Sequence, residues 1–431
     1  LLAGIKEGKV KSVCHVNCPN LLVLPPTLLF NWENEIRRFY PDLKMHLYTG
    51  IERSMEFGES DVVLTTYGLV RRDIQKLKEI QFNVIVFDEA QAVKNIYADT
   101  TGAVRQLKGY FKLTMTGTPV ENHLGEYYTI LDLSLPGLLG EYDDFKSYIK
   151  MDASSPALAG AGSNIDLLLR RTRPFVLRRT KEKILKELPP KIESDIYLEL
   201  TDKQKALYKK TVEMVKSTID EAYHSKTAAQ AQIIALTAIL KLRQLCVSPM
   251  LLDPTIDEPS PKIEFLIGKL RELMEEGHSA LVFSQFTSFL NILEEELRRH
   301  SLSFCRLDGS TVVGKRKKLV EDFQNGDGAS IFLLSLKAGG QGLNLTKASY
   351  VFHLDPWWNP AVENQASDRA HRIGQKNRVS IMRILMRHTI EEKMMELKKK
   401  KLELYKTVME CSVGTRKGLS VSKRDFDYLL E

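Results

Sequence analysis

Two adjacent carboxylates follow a short apolar run in the sequence VIVFDEAQAVKN, residues 84–95. The apolar run predicts a buried strand, and Asp88 and Glu89 come directly after it. Ligands of parallel α/β sheets bind at the carboxyl ends of the strands. At such a strand end Asp88 can hold Mg²⁺ and Glu89 can polarise an attacking water. The alternative is a helix N-cap with an acid that the helix dipole favours.

A polar turn follows one strand later, in the sequence TMTGTPVEN at residues 114–122. Its Thr116 and Thr118 hydroxyls could sense a γ-phosphate, and Gly117 between them could border the nucleotide. A nucleotide site also needs a loop of the form Gly-x4-Gly-Lys-Ser/Thr. The nearest match, GSTVVGKR, has Arg316 where the Ser/Thr is required, so the match is weak.

A glycine-rich segment, SLKAGGQGLNL, follows a third predicted strand. Its glycines allow the backbone to approach an anion closely, as a phosphate-binding loop must. Lys337 and Gln341 favour this interpretation over a plain glycine turn. We predict that Gly340, Gln341 and Gly342 contact the nucleotide and that Lys337 and Gly339 contact nucleic acid.

The sequence WWNPAVENQASDRAHRIGQ predicts a helix that begins after Asn359 and ends near Gly374. Gln365, Arg369 and Arg372 are spaced by four and three residues, so they would share one helix face. Two arginines on one face are usually part of a salt-bridged surface. The other interpretation is that they are arginine fingers for a phosphate held elsewhere.

Two α/β regions must position these residues, because apolar runs alternate with helical patterns in both. Between the two regions lies a long helical stretch that Thr201 caps. The predicted strands are 21–24, 62–65, 84–87, 113–116, 280–283, 304–307, 331–334 and 350–354. The predicted domains are a first lobe at 1–190, a helical protrusion at 191–255, a second lobe at 256–390 and a helical extension at 391–431.

The net charge is +7, from 62 Lys and Arg against 55 Asp and Glu, which permits an anionic partner without requiring one. Basic clusters such as Lys315 to Lys318 are most often solvated surface. No apolar run in the sequence reaches the length of a membrane span. We expect a protein that has no membrane partner.

Taken together, the motifs resemble the Swi/Snf-type branch of the superfamily-two helicase-related ATPases, and Gln91 at the end of the acidic motif resembles the bacterial members. The resemblance covers almost the whole chain, in the family's order. It rests on NLLVLPPTLLFNWENEI, DVVLTTYGLV, VIVFDEAQAVKN, LTMTGTPVEN, FVLRRTKEKILKELPPK, ALVFSQFT, RLDGSTVVGKRKKLVEDFQ, LLSLKAGGQGLNLTKASYVFHLDPWWNP and QASDRAHRIGQ.

This resemblance implies two RecA-like lobes that hydrolyse ATP with Mg²⁺ in the cleft between them while moving along double-stranded DNA. It implies magnesium and water roles for Asp88 and Glu89, and arginine-finger roles for Arg369 and Arg372. Nucleotide contacts are expected at Gln91, Gly117, Gly340, Gln341, Gly342 and Gln365. Sequence-independent DNA contacts are expected at Thr65, Thr66, Lys315, Arg316, Lys337, Gly339 and Trp357.

The resemblance also implies a remodelling target, a DNA-bound protein complex. We expect a monomer in the cytoplasm or nucleoid, or in the nucleus of a eukaryote. In the family the phosphate loop comes just before a segment like LLAGIKEG. We therefore expect the sequence to begin just after that loop and to have little ATPase activity alone. Two alternatives stay open, a non-catalytic nucleic-acid-binding scaffold and a strand-separating helicase.

Overall fold

The computed structural model describes most of the chain, and every structural statement below concerns those residues. They are 2–10, 18–50, 52–117, 124–146, 168, 170–177, 179, 188–256, 258, 260–326, 328–336, 343–357, 359–399 and 423–430. They fall into two compact units, one up to residue 177 and one from residue 179 onward.

The first unit is built on a five-stranded parallel sheet in the order β2-β3-β1-β4-β5. The strands are β1 (Asn20–Leu24), β2 (Met45–Leu47), β3 (Val62–Thr66), β4 (Gln81–Phe87) and β5 (Lys108–Thr114). The helices are α1 (Leu2–Lys6), α2 (Leu29–Phe39), α3 (Tyr67–Leu77), α4 (Asp99–Arg105) and α5 (Leu124–Ser134).

Both faces of this sheet are covered, which explains why its central strands β1, β3 and β4 are mostly apolar and almost entirely buried. Alternate residues enter two separate cores. Leu21, Ile85 and Phe87 pack on one face, and Leu22 and Val86 pack on the other. The central strands are therefore held rigidly, and polar side chains are available where the strands end.

The second unit holds a six-stranded parallel sheet in the order β6-β11-β10-β7-β9-β8. Its strands are β6 (Lys191–Leu198), β7 (Ala280–Ser284), β8 (Phe304–Leu307), β9 (Ile331–Ser335), β10 (Tyr350–His353) and β11 (Val379–Met386). Its helices are α6 (Asp202–Ser225), α7 (Ala228–Val247), α8 (Pro261–Glu275), α9 (Thr287–Arg299), α10 (Val313–Asn325), α11 (Pro360–Ser367), α12 (390–399) and α13 (Lys423–Leu430).

Helices α6 and α7 form a hairpin, and each helix is capped at its N-terminus. Thr201 caps α6 and Thr227 caps α7, each in a capping box with a glutamine three residues on. The hairpin packs with α12 and α13 around a shared core that includes Ile239, Met394 and Phe426. The helical region is therefore part of the second unit.

The predicted α/β class with two parallel sheets is confirmed. Three strands were not predicted, namely β2, β6 and β11, and the predicted strand at 113–116 lies instead at Lys108–Thr114. Residues 191–198 were expected in a helical protrusion, but they form β6, which pairs along its whole length with β11. Charged residues occupy several positions of β6 because it is an edge strand, so its apolar pattern is weak.

Within the described part of the chain, none of the helices combines the length and the apolar character that crossing a membrane requires.

Candidate functional site

The two carboxylates lie where the prediction placed them, at the carboxyl end of β4. Phe87 at the end of β4 is in register with Val23 of β1 and with Thr114 of β5. The Asp88 N–H donates to the carbonyl of Val23 at 2.9 Å, and the Ala90 N–H donates to the carbonyl of Met115 at 3.0 Å. The acidic turn is thus fixed between the ends of two neighbouring strands.

The carboxylate of Asp88 is held by two donors, one on each oxygen. Oδ1 accepts the backbone N–H of Glu89 at 2.9 Å, and Oδ2 accepts the indole Nε1–H of Trp32 at 2.8 Å. The Asp88 carbonyl accepts the hydroxyl of Tyr67 at 2.7 Å. Trp32 and Tyr67 were not predicted as site residues, because an aromatic at helical spacing indicates packing and nothing more.

The Tyr67 hydroxyl can donate this hydrogen bond because it stays protonated. Burial raises the pKa of the Tyr67 hydroxyl well above its usual value, and the negative charges of Asp88 and Glu89 raise it further. Tyr67 is the first residue of α3, directly after Thr66. The turn between β3 and α3 is therefore joined to the backbone of the acidic motif.

Glu89 has a left-handed backbone with a φ of 49° and a ψ of 51°. This conformation is costly for a residue with a Cβ and is frequent at functional sites. Its Oε2 accepts the amide Nε2–H of Gln91 at 2.6 Å, and the Oε1 of Gln91 accepts the hydroxyl of Thr116 at 2.7 Å. The Glu89 carboxylate is thus connected through Gln91 to the polar turn after β5.

Thr65 and Thr66, two predicted DNA contacts at the end of β3, have different surroundings. Thr65 is fully buried and its hydroxyl donates to the carbonyl of Tyr48 at 3.1 Å, so this side chain is not placed to contact DNA. Thr66 caps α3, since its hydroxyl accepts the Leu69 N–H at 3.3 Å. The prediction for Thr65 is corrected because the strand continues through it into the core.

Part of the predicted nucleotide and DNA site lies outside the described residues. Gly117 is described and lies in an exposed bend. The residues that cannot be placed are Thr118, Lys337, Gly339, Gly340, Gln341 and Gly342.

Helix α11, which was predicted to carry the arginine fingers, is shorter than expected. It begins at Pro360 as predicted but ends at Ser367, so Arg369 and Arg372 lie in the turns after it. After the helix ends, the carbonyl of Arg369 accepts the N–H of Leu345 at 3.0 Å. The prediction of one helix face shared with Gln365 is therefore wrong.

The two arginines differ in exposure. Arg369 is 1% exposed and sits between Ala366 and Ala370, which belong to the core of the second unit. Arg372 is half-buried, and its Nη1 lies 3.4 Å from the carbonyl of Leu343, next to the glycine-rich segment. This difference favours Arg372 over Arg369 as a guanidinium that reaches a ligand.

Buried polar groups hold the segment from Leu354 to Trp357 at the carboxyl end of β10. Lys262 Nζ donates to the Leu354 carbonyl at 2.6 Å and pairs with Glu391 at 2.7 Å, with both side chains fully buried. An Arg243 Nη donates to the Pro356 carbonyl at 2.6 Å. These donors come from α7 and α8, so the helical region fixes this segment.

Within the same segment, Asp355 accepts the hydroxyl of Ser284, and burial raises the pKa of its carboxyl. The N–H of Trp357 donates to Glu363 at 2.6 Å, and Glu363 pairs with Lys398 of α12 at 2.7 Å. Trp357, a predicted DNA contact, is half-buried against the core.

The basic cluster on α10 separates into two kinds of residue. Lys315 and Lys318 are exposed. Arg316 instead holds the preceding loop, since it donates to the carbonyl of Thr311 at 2.8 Å and to that of Asp308 at 3.2 Å. The Arg316 guanidinium is therefore engaged in holding this loop, and these hydrogen bonds compete with the predicted contact to DNA.

Comparisons with known proteins bear on the family of the chain. Residues 3–251 match the SNF2-related domain, and residues 261–374 match the helicase conserved C-terminal domain. A putative ATP-dependent helicase/translocase of Bacillus subtilis is 36% identical over 404 residues, which cover 89% of this chain and 42% of that protein.

A human SWI/SNF-related matrix-associated actin-dependent regulator of chromatin, subfamily A member 1, is 34% identical over 425 residues, covering 94% of this chain and 40% of that protein. A solved SWI2/SNF2 ATPase core of Sulfolobus solfataricus in complex with double-stranded DNA is 32% identical, covering 95% of this chain and 84% of that chain, with a TM-score of 0.45. The chain spans less than half the length of the two curated relatives. Because the first domain match alone covers more than half of its residues, the chain belongs to the SNF2-related family.

Proposed function

We propose that the natural protein that contains this chain hydrolyses ATP and uses the reaction to move along double-stranded DNA without separating its strands. The observation that carries the proposal is the pair of oriented carboxylates after β4. Asp88 is held on both oxygens, and Glu89 is held by the amide of Gln91. The names of curated relatives, which include ATP-dependent helicases, support ATP as the substrate.

In this proposal Glu89 orients and polarises the water that attacks the γ-phosphate. Gln91 keeps the Glu89 carboxylate in place through its 2.6 Å hydrogen bond. Thr116 completes the connection, because its hydroxyl donates to Gln91. A change at the turn after β5 would therefore reach the Glu89 carboxylate through two hydrogen bonds.

Asp88 has the chemistry that Mg²⁺ prefers, a hard carboxylate oxygen on a rigid strand end. Among the described residues, each of its oxygens accepts one hydrogen bond, from Trp32 or from the Glu89 N–H, and a carboxylate oxygen can accept two. Each oxygen thus keeps a lone pair for the ion or its water. When bound, Mg²⁺ would supply positive charge against the phosphate oxygens.

We further propose that Arg372 contributes its charge to the same ATP, and that Gln365, Gly117 and the segment 340–342 contact the nucleotide. A role for Arg369 at the phosphate would require its buried side chain to emerge. The biological target, a DNA-bound protein complex, the monomeric state and a cytoplasmic or nuclear location are part of this proposal.

The proposal is tested on the natural full-length protein by steady-state phosphate release with and without duplex DNA. We expect duplex to stimulate hydrolysis, and we expect displacement of a third strand from triplex DNA without separation of a labelled duplex. If duplex DNA does not change the rate of ATP hydrolysis, double-stranded DNA is not the polymer on which the enzyme acts. Absence of hydrolysis would favour the non-catalytic scaffold.

DNA binding is expected to be independent of sequence and to weaken steeply as salt rises. The reason is that phosphate contacts release counterions but read no bases. The plot of log affinity against log salt has a negative slope, and replacing both Lys315 and Lys318 by alanine should reduce the magnitude of this slope by about 2. Fluorescence anisotropy with duplexes of unrelated sequence measures both properties.

The matched control is Lys241→Ala, which removes an exposed lysine from α7. It should leave the slope at the parent value, since the loss of even one phosphate contact would change the slope by about 1. A strong preference for one duplex would contradict sequence-independent binding, and equal slopes for the double variant and the parent would contradict the assignment of α10 to the DNA surface.

A further inference from the structure

We infer that Trp32 is a positioning residue for Asp88, and that its indole N–H sets how tightly the site binds magnesium with nucleotide. The inference rests on the proposed function, since it takes Asp88 as the magnesium ligand. Trp32 lies 56 residues before Asp88 in the chain, on α2.

The geometry shows what the indole does to the carboxylate. The Trp32 Nε1 lies 2.8 Å from Oδ2 of Asp88, while the other oxygen accepts the Glu89 N–H at 2.9 Å. The last side-chain torsion of an aspartate is broad and is not fixed by rotamer preference alone. One donor on each oxygen fixes this torsion. Without the indole, only the backbone donor at Oδ1 remains of these two.

The indole itself is held firmly enough to serve this purpose. Helix α2 follows β1 through a short turn that begins at Pro26, so its first residues lie beside the end of β1. The Trp32 ring packs on the core that includes Leu24, Ile36 and Val86. The ring is therefore anchored by its apolar body, and its polar edge faces the carboxylate.

The choice of side chain fits a supporting role. An indole donates one hydrogen bond and accepts none, so it orients the carboxylate without competing for the ion. Donors that orient a metal-binding side chain typically change metal affinity or activity about 10-fold to 100-fold when they are removed. We expect an effect near the lower figure, because the Glu89 N–H remains.

The first experiment is Trp32→Phe in the natural full-length protein, which keeps an aromatic ring and removes the donor. The Mg²⁺ concentration that gives half-maximal ATP hydrolysis should rise about 10-fold. The matched control is Ile36→Val on the same helix, which disturbs the same core without touching Asp88. A merely structural role of Trp32 predicts equal Mg²⁺ dependence in both variants, and that result would overturn the inference.

The second experiment needs neither hydrolysis nor nucleotide. The 431-residue chain holds three tryptophans, and the Trp32→Phe variant identifies the Trp32 resonance in a ¹H–¹⁵N spectrum of the indole groups. Asp88→Ala removes the acceptor and should move that resonance upfield, whereas Asp42→Asn, an exposed substitution in the same unit, should not. An unmoved resonance in Asp88→Ala would overturn the inference.

These two readouts separate the inference from the proposed function. A resonance that responds to Asp88→Ala, together with no ATPase activity in the natural full-length protein, would support the hydrogen bond and contradict the function. Normal ATPase activity with unchanged Mg²⁺ dependence in Trp32→Phe would support the function and contradict the positioning role.

Discussion

Replacing Arg372 by alanine is expected to lower the turnover number for ATP on the order of 10³-fold, with little change in DNA affinity. The reason is that a guanidinium acts on charge that develops in the transition state, which DNA binding does not share. Arg372 lies beside the carbonyl of Leu343, at the end of the glycine-rich segment that we propose contacts the nucleotide. Phosphate release and fluorescence anisotropy measure the two quantities.

The matched control for this substitution is Arg378→Ala, which removes an exposed arginine six residues further on. It should change turnover less than about 3-fold, because an exposed surface charge contributes little. A parallel loss of DNA affinity and turnover in Arg372→Ala would instead assign this arginine to the DNA surface. Equal effects of the two substitutions would argue against an arginine finger.

Replacing Glu89 by glutamine is expected to lower turnover by about 10²-fold to 10⁴-fold, the range of general-base catalysis, while nucleotide still binds. Glutamine has nearly the same shape and also carries a Cβ, so the left-handed backbone and its cost are unchanged. The substitution removes the negative charge that polarises the attacking water. Phosphate release gives the turnover, and titration with a fluorescent nucleotide gives the affinity.

Glu79→Gln is the control, since Glu79 is exposed in the same unit and lies just after α3. We expect it to hydrolyse ATP at the parent rate. Full activity of Glu89→Gln would show that the general base is a different residue. Loss of nucleotide binding in Glu89→Gln would assign the carboxylate to substrate binding and not to the activation of water.

The strands that are clearest in the sequence are those with both faces covered. β1, β3, β7 and β9 are buried at every position, so each contains an apolar run. Strands at the edge of a sheet give a weaker signal, since β2 and β6 were not predicted and the predicted position of β5 was displaced. β6 carries exposed charged residues, and its partner β11 includes Arg383, which pairs with Glu193 and Asp195 across the strands. Such pairs form only in the fold, so their residues look like surface in the sequence.

In the candidate site, too, some features could be predicted from the sequence and others could not. The acidic pair was predictable because Asp88 and Glu89 follow a buried strand directly. The end of α11 at Ser367 was not, and the turn after it is joined to a segment distant in the sequence, since the carbonyl of Arg369 accepts the N–H of Leu345. Trp32 was missed for a related reason. Its helical spacing indicates a packing role, and the sequence holds no sign that its N–H meets a carboxylate 56 residues away.

The positive φ of Glu89 has a consequence for protein engineering. A glycine at this position would relieve the left-handed conformation, which costs on the order of 1–3 kcal/mol for a residue with a Cβ. A library screened only for resistance to heat would therefore enrich glycine at position 89 and discard the carboxylate. Selection for stability favours glycine at position 89, whereas selection for turnover favours glutamate. A thermostable variant that keeps its activity must therefore gain stability from substitutions at other positions.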